Sequence, residues 1–94
     1  MSIVQFGLTY TILGVMNLKY ERIRNLREDI DMTQSQIAGI LNISQRTYSR
    51  YENDEHAIPI EILSALADFH QTSVDYLIGR TNVKKPYPKS NSIR

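Results

Sequence analysis

TQSQIAGILNISQRTYSRYEN, residues 33–53, carries two short helical patterns and the turn that joins them. Thr33 suits an N-cap, because its hydroxyl can accept an unpaired backbone N–H of the first turn. Gln36 follows three residues later and completes a capping-box pattern. Ile37, Ala38, Ile40 and Leu41 form an apolar stripe at helical spacing. Ala38 is small, so another helix backbone can approach it closely. Asn42 adopts a left-handed conformation at modest cost and ends the helix. Ile43 is expected to plug the turn into the core. Ser44 is a second N-cap, and Gln45 to Glu52 is the second helix.

On this second helix Tyr48 and Tyr51 lie three apart and share one face. They are expected to pack inward, which leaves Gln45, Arg46, Thr47, Ser49 and Arg50 for solvent or a ligand. Glutamine and arginine pair bidentately with adenine and guanine edges in the major groove. An isolated helix of this composition reads as an ordinary solvated face. Two capped helices whose caps, Thr33 and Ser44, are eleven residues apart change that reading. They have the architecture of a helix-turn-helix DNA reader.

From about Leu18 to Thr81 the chain resembles the lambda-repressor-like helix-turn-helix domain of the Cro/Xre type. The resemblance rests on Thr33-Gln34, Ile37-Ala38, Ser44-Gln45, Ser49-Arg50-Tyr51-Glu52-Asn53 and the run Ser73 to Gly79. It implies an all-α, compact five-helix domain whose third helix enters the major groove. It implies base contacts from Gln45, Arg46 and Arg50, with Thr47 a further candidate. It implies phosphate contacts from Gln34, Ser44 and Asn53, and an ion pair between Arg27 and Glu52. The chain departs from the family pattern at Asn42, where glycine is usual. It departs again at Tyr48 and Tyr51, where aliphatics are common and whose hydroxyls need a partner or a route to water.

Around the motif, helix one is expected from about Lys19 to Asp29, with Tyr20, Ile23, Leu26 and Ile30 as its buried stripe. Arg22 and Arg24 read as a solvated face. Asn53 to Ile58 is a polar loop, and Pro59 suits the first turn of helix four. Ile62, Leu63, Leu66, Ala67 and Phe69 supply that helix's inner face. Thr72-Ser73 caps a short fifth helix that Gly79 stops. Tyr76, Leu77 and Ile78 are more apolar surface than so short a helix must bury, so part of it is a candidate subunit contact.

Ninety-four residues support one modest core. With no cysteine there is neither a disulfide framework nor a thiolate zinc site. His56 and His70 have no metal spacing, no Gly-rich phosphate loop is present, and no acid–base–nucleophile set clusters. The composition points away from an enzyme, from a cofactor, from a bound metal and from a small-molecule ligand. The net charge of +1 hides a pattern. Residues 53–79 carry acids and no lysine or arginine, whereas residues 80–94 carry basic groups and no acid. The acidic block is expected to face away from DNA. The basic tail, residues 82–94, reads as flexible or extended. It either adds sequence-independent phosphate attraction or is a solvated terminus.

Residues 1–17 precede the domain. Ser2 to Met16, SIVQFGLTYTILGVM, is apolar, uncharged and rich in β-branched and aromatic residues. It is too short and too interrupted for a membrane span, and lacks the features of a signal peptide. Three readings stay open: a strand that pairs in a dimer, an element packed on the domain, or an upstream extension before a start at Met16. The sequence therefore reads as a cytoplasmic, sequence-specific regulator of double-stranded DNA, a homodimer on an inverted-repeat operator and a repressor by occlusion. Two alternatives are the DNA-binding antitoxin of a toxin–antitoxin pair, with the toxin as protein partner, and an interaction module that has lost DNA reading.

Overall fold

The computed structural model describes residues 20–90. The readings on the apolar segment before Tyr20 lie outside the described residues. Five helices follow in order: α1 (Glu21–Asp29), α2 (Gln34–Leu41), α3 (Gln45–Glu52), α4 (Ile60–Phe69) and α5 (Val74–Leu77). No strand occurs among the described residues.

The capping chemistry sets where the helices begin. Thr33 accepts from the Gln36 backbone, and the Gln36 side chain returns a bond to the Thr33 N–H, which closes the capping box at α2. Ser44 caps α3 by accepting from Thr47, and Ser73 caps α5 by accepting from Tyr76. Each of these bonds satisfies one of the backbone donors that a helix start leaves unpaired.

All five helices end the same way. A left-handed residue follows each one: Asp31, Asn42, Asp54, Gln71 and Gly79, with φ between 55° and 83°. The residue after it sends its N–H back five positions: Met32 to Arg27, Ile43 to Ala38, Glu55 to Arg50, Thr72 to Ala67 and Arg80 to Asp75. This is the Schellman pattern, which pairs carbonyls that the last turn leaves without partners. Glycine accepts the left-handed conformation freely, and Asn and Asp tolerate it through local hydrogen bonds. Gln71 has neither advantage. Gln71→Gly is therefore expected to stabilise the domain by about 1 kcal/mol, read as a higher urea midpoint at unchanged slope. A lower midpoint would show that the glutamine side chain outweighs the backbone strain.

The core lies between the helices. Ile23 and Leu26 of α1, Ile37 and Ala38 of α2, Tyr48 and Tyr51 of α3, and Leu63, Leu66 and Ala67 of α4 are buried with Leu77 of α5 and Ile58. Met32, Leu41, Ile43, Ile62, Val74, Tyr76 and Ile78 pack against them, half-buried. Three apolar side chains expected inside lie outside instead: Ile30 and Ile40 are about half exposed, and Phe69 is 37% exposed. Ile30 follows the last residue of α1 and Ile40 precedes the last of α2, where the chain is already turning off the core. Their spacing matches the buried stripe, but their position at a helix end does not. Phe69 sits edge-on to His70.

His70 closes α4 and has a buried Nε2 with no hydrogen-bond partner. Burial, and then the nearby Lys84 ammonium, push its pKa below the usual 6.5. The fold thus holds the neutral ring, while the unfolded chain takes up a proton more readily. The stability His70 contributes is complete above pH 6.5 and is lost as pH falls from there toward the depressed folded value. The expected result is a stability that declines on acidification through this window. His70→Leu should flatten that part of the profile in urea melts taken at successive pH values.

Candidate nucleic-acid interface

The helix α3 turns two faces in opposite senses. Tyr48, Tyr51 and Glu52 are buried, whereas Gln45 and Arg46 are exposed and Thr47, Ser49 and Arg50 are half-exposed. The base-reading set expected from the sequence thus lies together on the outer side. Thr47 is more committed than the others. Its backbone donates to the Ser44 hydroxyl at 3.1 Å, and its own hydroxyl accepts from Ser44 at 2.9 Å.

Beneath α3 the fold buries a charge. The Glu52 side chain has no solvent exposure. Arg27 of α1 reaches it with two donors, Nε to Oε2 at 2.7 Å and Nη2 to Oε1 at 3.0 Å. The third arm of the same guanidinium donates to the Met32 carbonyl at 2.8 Å. Gln34, at the start of α2, donates to Glu52 Oε1 at 3.0 Å. Helices α1, α2 and α3 therefore meet at one carboxylate. Burial alone would raise the Glu52 pKa. The bidentate bond from Arg27, the nearness of the Tyr48 hydroxyl and the bond from Gln34 outweigh that and hold the carboxyl below its usual range. The partner Arg27 is raised in turn, first by the bond to Glu52. The Tyr48 hydroxyl is buried beside them without a well-aligned hydrogen bond of its own. Burial, and then the adjacent carboxylate, shift its ionisation strongly upward, so it stays a neutral phenol.

The residues expected at phosphates fall at both ends of the motif. Gln34 opens α2 and Ser44 precedes α3, and the Gln45 amide donates to Gln34 Oε1 at 3.4 Å. That contact ties the first residue of one helix to the first residue of the next. The Gln34 amide nitrogen is occupied by Glu52, so its role is bracing as well as surface display. Asn53 stands at the far end of α3, within 3.5 Å of Ser49.

Sequence reasoning missed Arg24. It read as part of a solvated face, yet its Nη2 donates to Asn53 Oδ1 at 3.2 Å and its Nε lies 3.5 Å from Glu52. Its side chain remains 43% exposed. The available signal was its spacing of three from Arg27, which places both guanidinium groups on one side of α1. Arg22 was missed for the same reason. It stacks 4.1 Å above the Tyr76 ring and donates to the Tyr76 and Thr81 carbonyls and to Asn82.

A helix-turn-helix family model matches residues 23–77, more than half of the chain. The chain belongs to the Cro/Xre-type helix-turn-helix family. This membership makes residues 23–77 a helix-turn-helix domain of the kind that DNA-binding transcriptional regulators carry. The chain is 30% identical over 74 residues to the uncharacterised HTH-type transcriptional regulator YobD of Bacillus subtilis, covering 79% of this chain and 66% of that protein. It is 40% identical over 60 residues to the cryptic phage CTXphi transcriptional repressor RstR of Vibrio cholerae, covering 64% and 54%. It is 29% identical over 66 residues to the antitoxin PezA of Streptococcus pneumoniae, covering 70% and 42%. The chain thus spans between about two fifths and two thirds of the length of these relatives. No solved structure gives a significant match. Within the helix-turn-helix domain, no helix among the described residues is long and apolar enough to cross a membrane. No group of three metal-ligating side chains forms among the described residues either.

Proposed function

We propose that this protein is a sequence-specific transcriptional regulator of the cytoplasm, a homodimer that represses by occupying an inverted-repeat operator in double-stranded DNA. Residues 18–81 form the reading domain, with 1–17 an extension and 82–94 a basic tail. The observation that carries the reading is the outward set Gln45, Arg46 and Arg50 on a helix braced from behind by the Glu52–Arg27–Gln34 cluster. In this reading α3 lies in the major groove. Gln45, Arg46 and Arg50 address base edges, with Thr47 at the margin, where bidentate pairing discriminates between bases. Gln34, Ser44 and Asn53 position the domain on phosphates, and Arg24 joins Asn53 there as a partly exposed cation. One such helix reads only a few base pairs. Two copies on half-sites about 34–36 Å apart supply the rest of the specificity. Repression by occlusion needs no catalytic group.

Selection of bound sequences from a random double-stranded pool tests this at near-physiological salt. An inverted repeat with half-sites one helical turn apart, or a multiple of it, is the expected recovery. Recovery of single half-sites would remove the dimer, and recovery of nothing above background would remove the regulator reading. The similarity to PezA favours a second reading, an antitoxin that binds DNA together with a protein partner. It predicts enrichment of the operator only when a co-expressed partner is present.

A further inference from the structure

The chain's own C-terminal segment lies across the groove between α4 and α5 and forms one wall of it, with Tyr87 still 61% exposed. Beyond Gly79 the backbone has no helix or strand, as the sequence suggests, but it does not leave the domain. The Thr72 hydroxyl donates to the Lys84 carbonyl. The Tyr87 hydroxyl donates to Asp75 Oδ2 at 2.9 Å, and the Lys89 ammonium donates to Asp68 at 3.0 Å. Ala67, Val74, Pro86 and Pro88 line the space between these bonds. The spacing of contacts fits the segment. Two prolines hold Pro86-Tyr87-Pro88 extended, so that Tyr87 and Lys89 meet two carboxylates on neighbouring helices.

We propose that this groove is a peptide-binding site whose resident ligand is the chain's own Lys84–Lys89 segment, held as a latch that opens as ionic strength rises. The latch turns on a fixed anchor. Arg22, stacked on Tyr76, donates to Thr81 and Asn82 and so ties the point at which the segment leaves the core to α1. The far end is held differently: Lys89 and Asp68, paired at 3.0 Å, are 80% and 62% exposed. Exposed pairs of this kind are individually weak and are screened by salt. Anchor and latch thus respond differently to the same change in solution. Opening frees the Asp68 carboxylate, the Thr72 hydroxyl and the Lys89 ammonium together, while Asp75 keeps its pair with Arg80. The inference stands on contacts remote from α3 and does not depend on the DNA-binding reading.

Trypsin provides the test on the full chain, because the Lys84 carbonyl is both the scissile group and the acceptor of the Thr72 bond. Cleavage after Lys84 is measured against a free peptide of residues 80–94 as the standard. At about 0.01 M KCl, where the screening length is about 30 Å, the protein should be cut much more slowly than the peptide. At about 1 M, where it is about 3 Å, the gap between the two rates should narrow several-fold. Thr72→Val, and separately Asp68→Asn with Asp75→Asn, should give roughly tenfold faster cleavage at low salt, since proteolysis tracks the open population. Asp68→Lys should do the same, and adding Lys89→Glu should restore protection. A melting temperature unchanged in each variant shows that the latch has opened and the fold has not. Cleavage as fast as the peptide at low salt would overturn the inference, as would protection that neither salt nor the substitutions alter.

Discussion

Glu52→Gln is expected to lower stability by about 3–5 kcal/mol, as breaking a buried ion pair from one side does. The replacement keeps the shape of the side chain, so no cavity forms and the loss reports the charge. Among the described residues Arg27, only 11% exposed, would keep as its charge partner only Glu28, itself largely exposed and 3.8 Å away. The glutamine amide would also turn a donor toward the donors of Arg27, Gln34 or Arg24 that now converge on the carboxylate. Domains of this size have about 5–15 kcal/mol in total. Each kilocalorie is worth about 4–8 °C in melting temperature at this length, so the midpoint should fall by about 12 °C or more. A loss below about 1 kcal/mol would mean that the pair exchanges freely with water. The effect has a signature in pH. The fold depresses the Glu52 pKa, so the stability it adds is complete above the unfolded carboxylate range and disappears as pH falls through the folded value. The gap between wild type and variant should therefore close in acid.

The same cluster separates stability from orientation. Replacing both partners, Arg27→Met with Glu52→Leu, removes the desolvation cost along with the attraction. Buried pairs exchanged for apolar side chains of similar volume are often neutral or better. The double variant should thus melt near or above the wild type while the single variant does not. If it also keeps full DNA affinity, the cluster does not fix the angle of α3. If it folds well and reads DNA poorly, orientation is the function of the pair.

The reading motif was legible in the sequence because its signals are local. Thr33, Gln36 and Ser44 act on backbone donors within three residues, and Asn42 ends α2 by its own φ of 61°. Tyr48 and Tyr51 declare the inner face of α3 by spacing alone. The rest was set by partners distant in the chain. Arg22 and Arg24 resemble solvated arginines until α5 and the end of α3 are brought beside α1. Gln34 reads as a surface residue until Glu52, 18 positions on, claims its amide. Ile40 satisfied the helical period but lies where α2 leaves the core, a matter of tertiary placement. The helix ends fell between these cases. Gly79 and Asn42 announce a left-handed residue, whereas Asp31, Asp54 and Gln71 take that conformation with a weaker local signal, at the Schellman ends of α1, α3 and α4.

Gln45→Ala with Arg50→Ala should sharply reduce sequence discrimination with little change in the fold. Gln45 is exposed and Arg50 half-exposed, and no core side chain depends on Arg50. Among the described residues the Gln45 side chain forms a 3.4 Å hydrogen bond to Gln34, whose other bond to Glu52 remains. The melting temperature should therefore stay close to wild type. Each bidentate base contact is worth about 1–3 kcal/mol, so the pair together removes about 2–6 kcal/mol of specific affinity if the sites act independently. That is a loss of about thirtyfold at the lower bound, measured on the selected operator by titration at fixed salt. Affinity for unrelated DNA should change less, because the residues proposed to contact phosphates, Gln34, Ser44, Asn53 and Arg24, are unchanged. Arg24→Ala gives the complementary result: weaker binding to every sequence and a shallower salt dependence, by about one phosphate. The two variants together decide between base reading and general attraction. If Gln45→Ala with Arg50→Ala binds the operator like wild type, α3 is not the reading helix, whatever the pool selection returns.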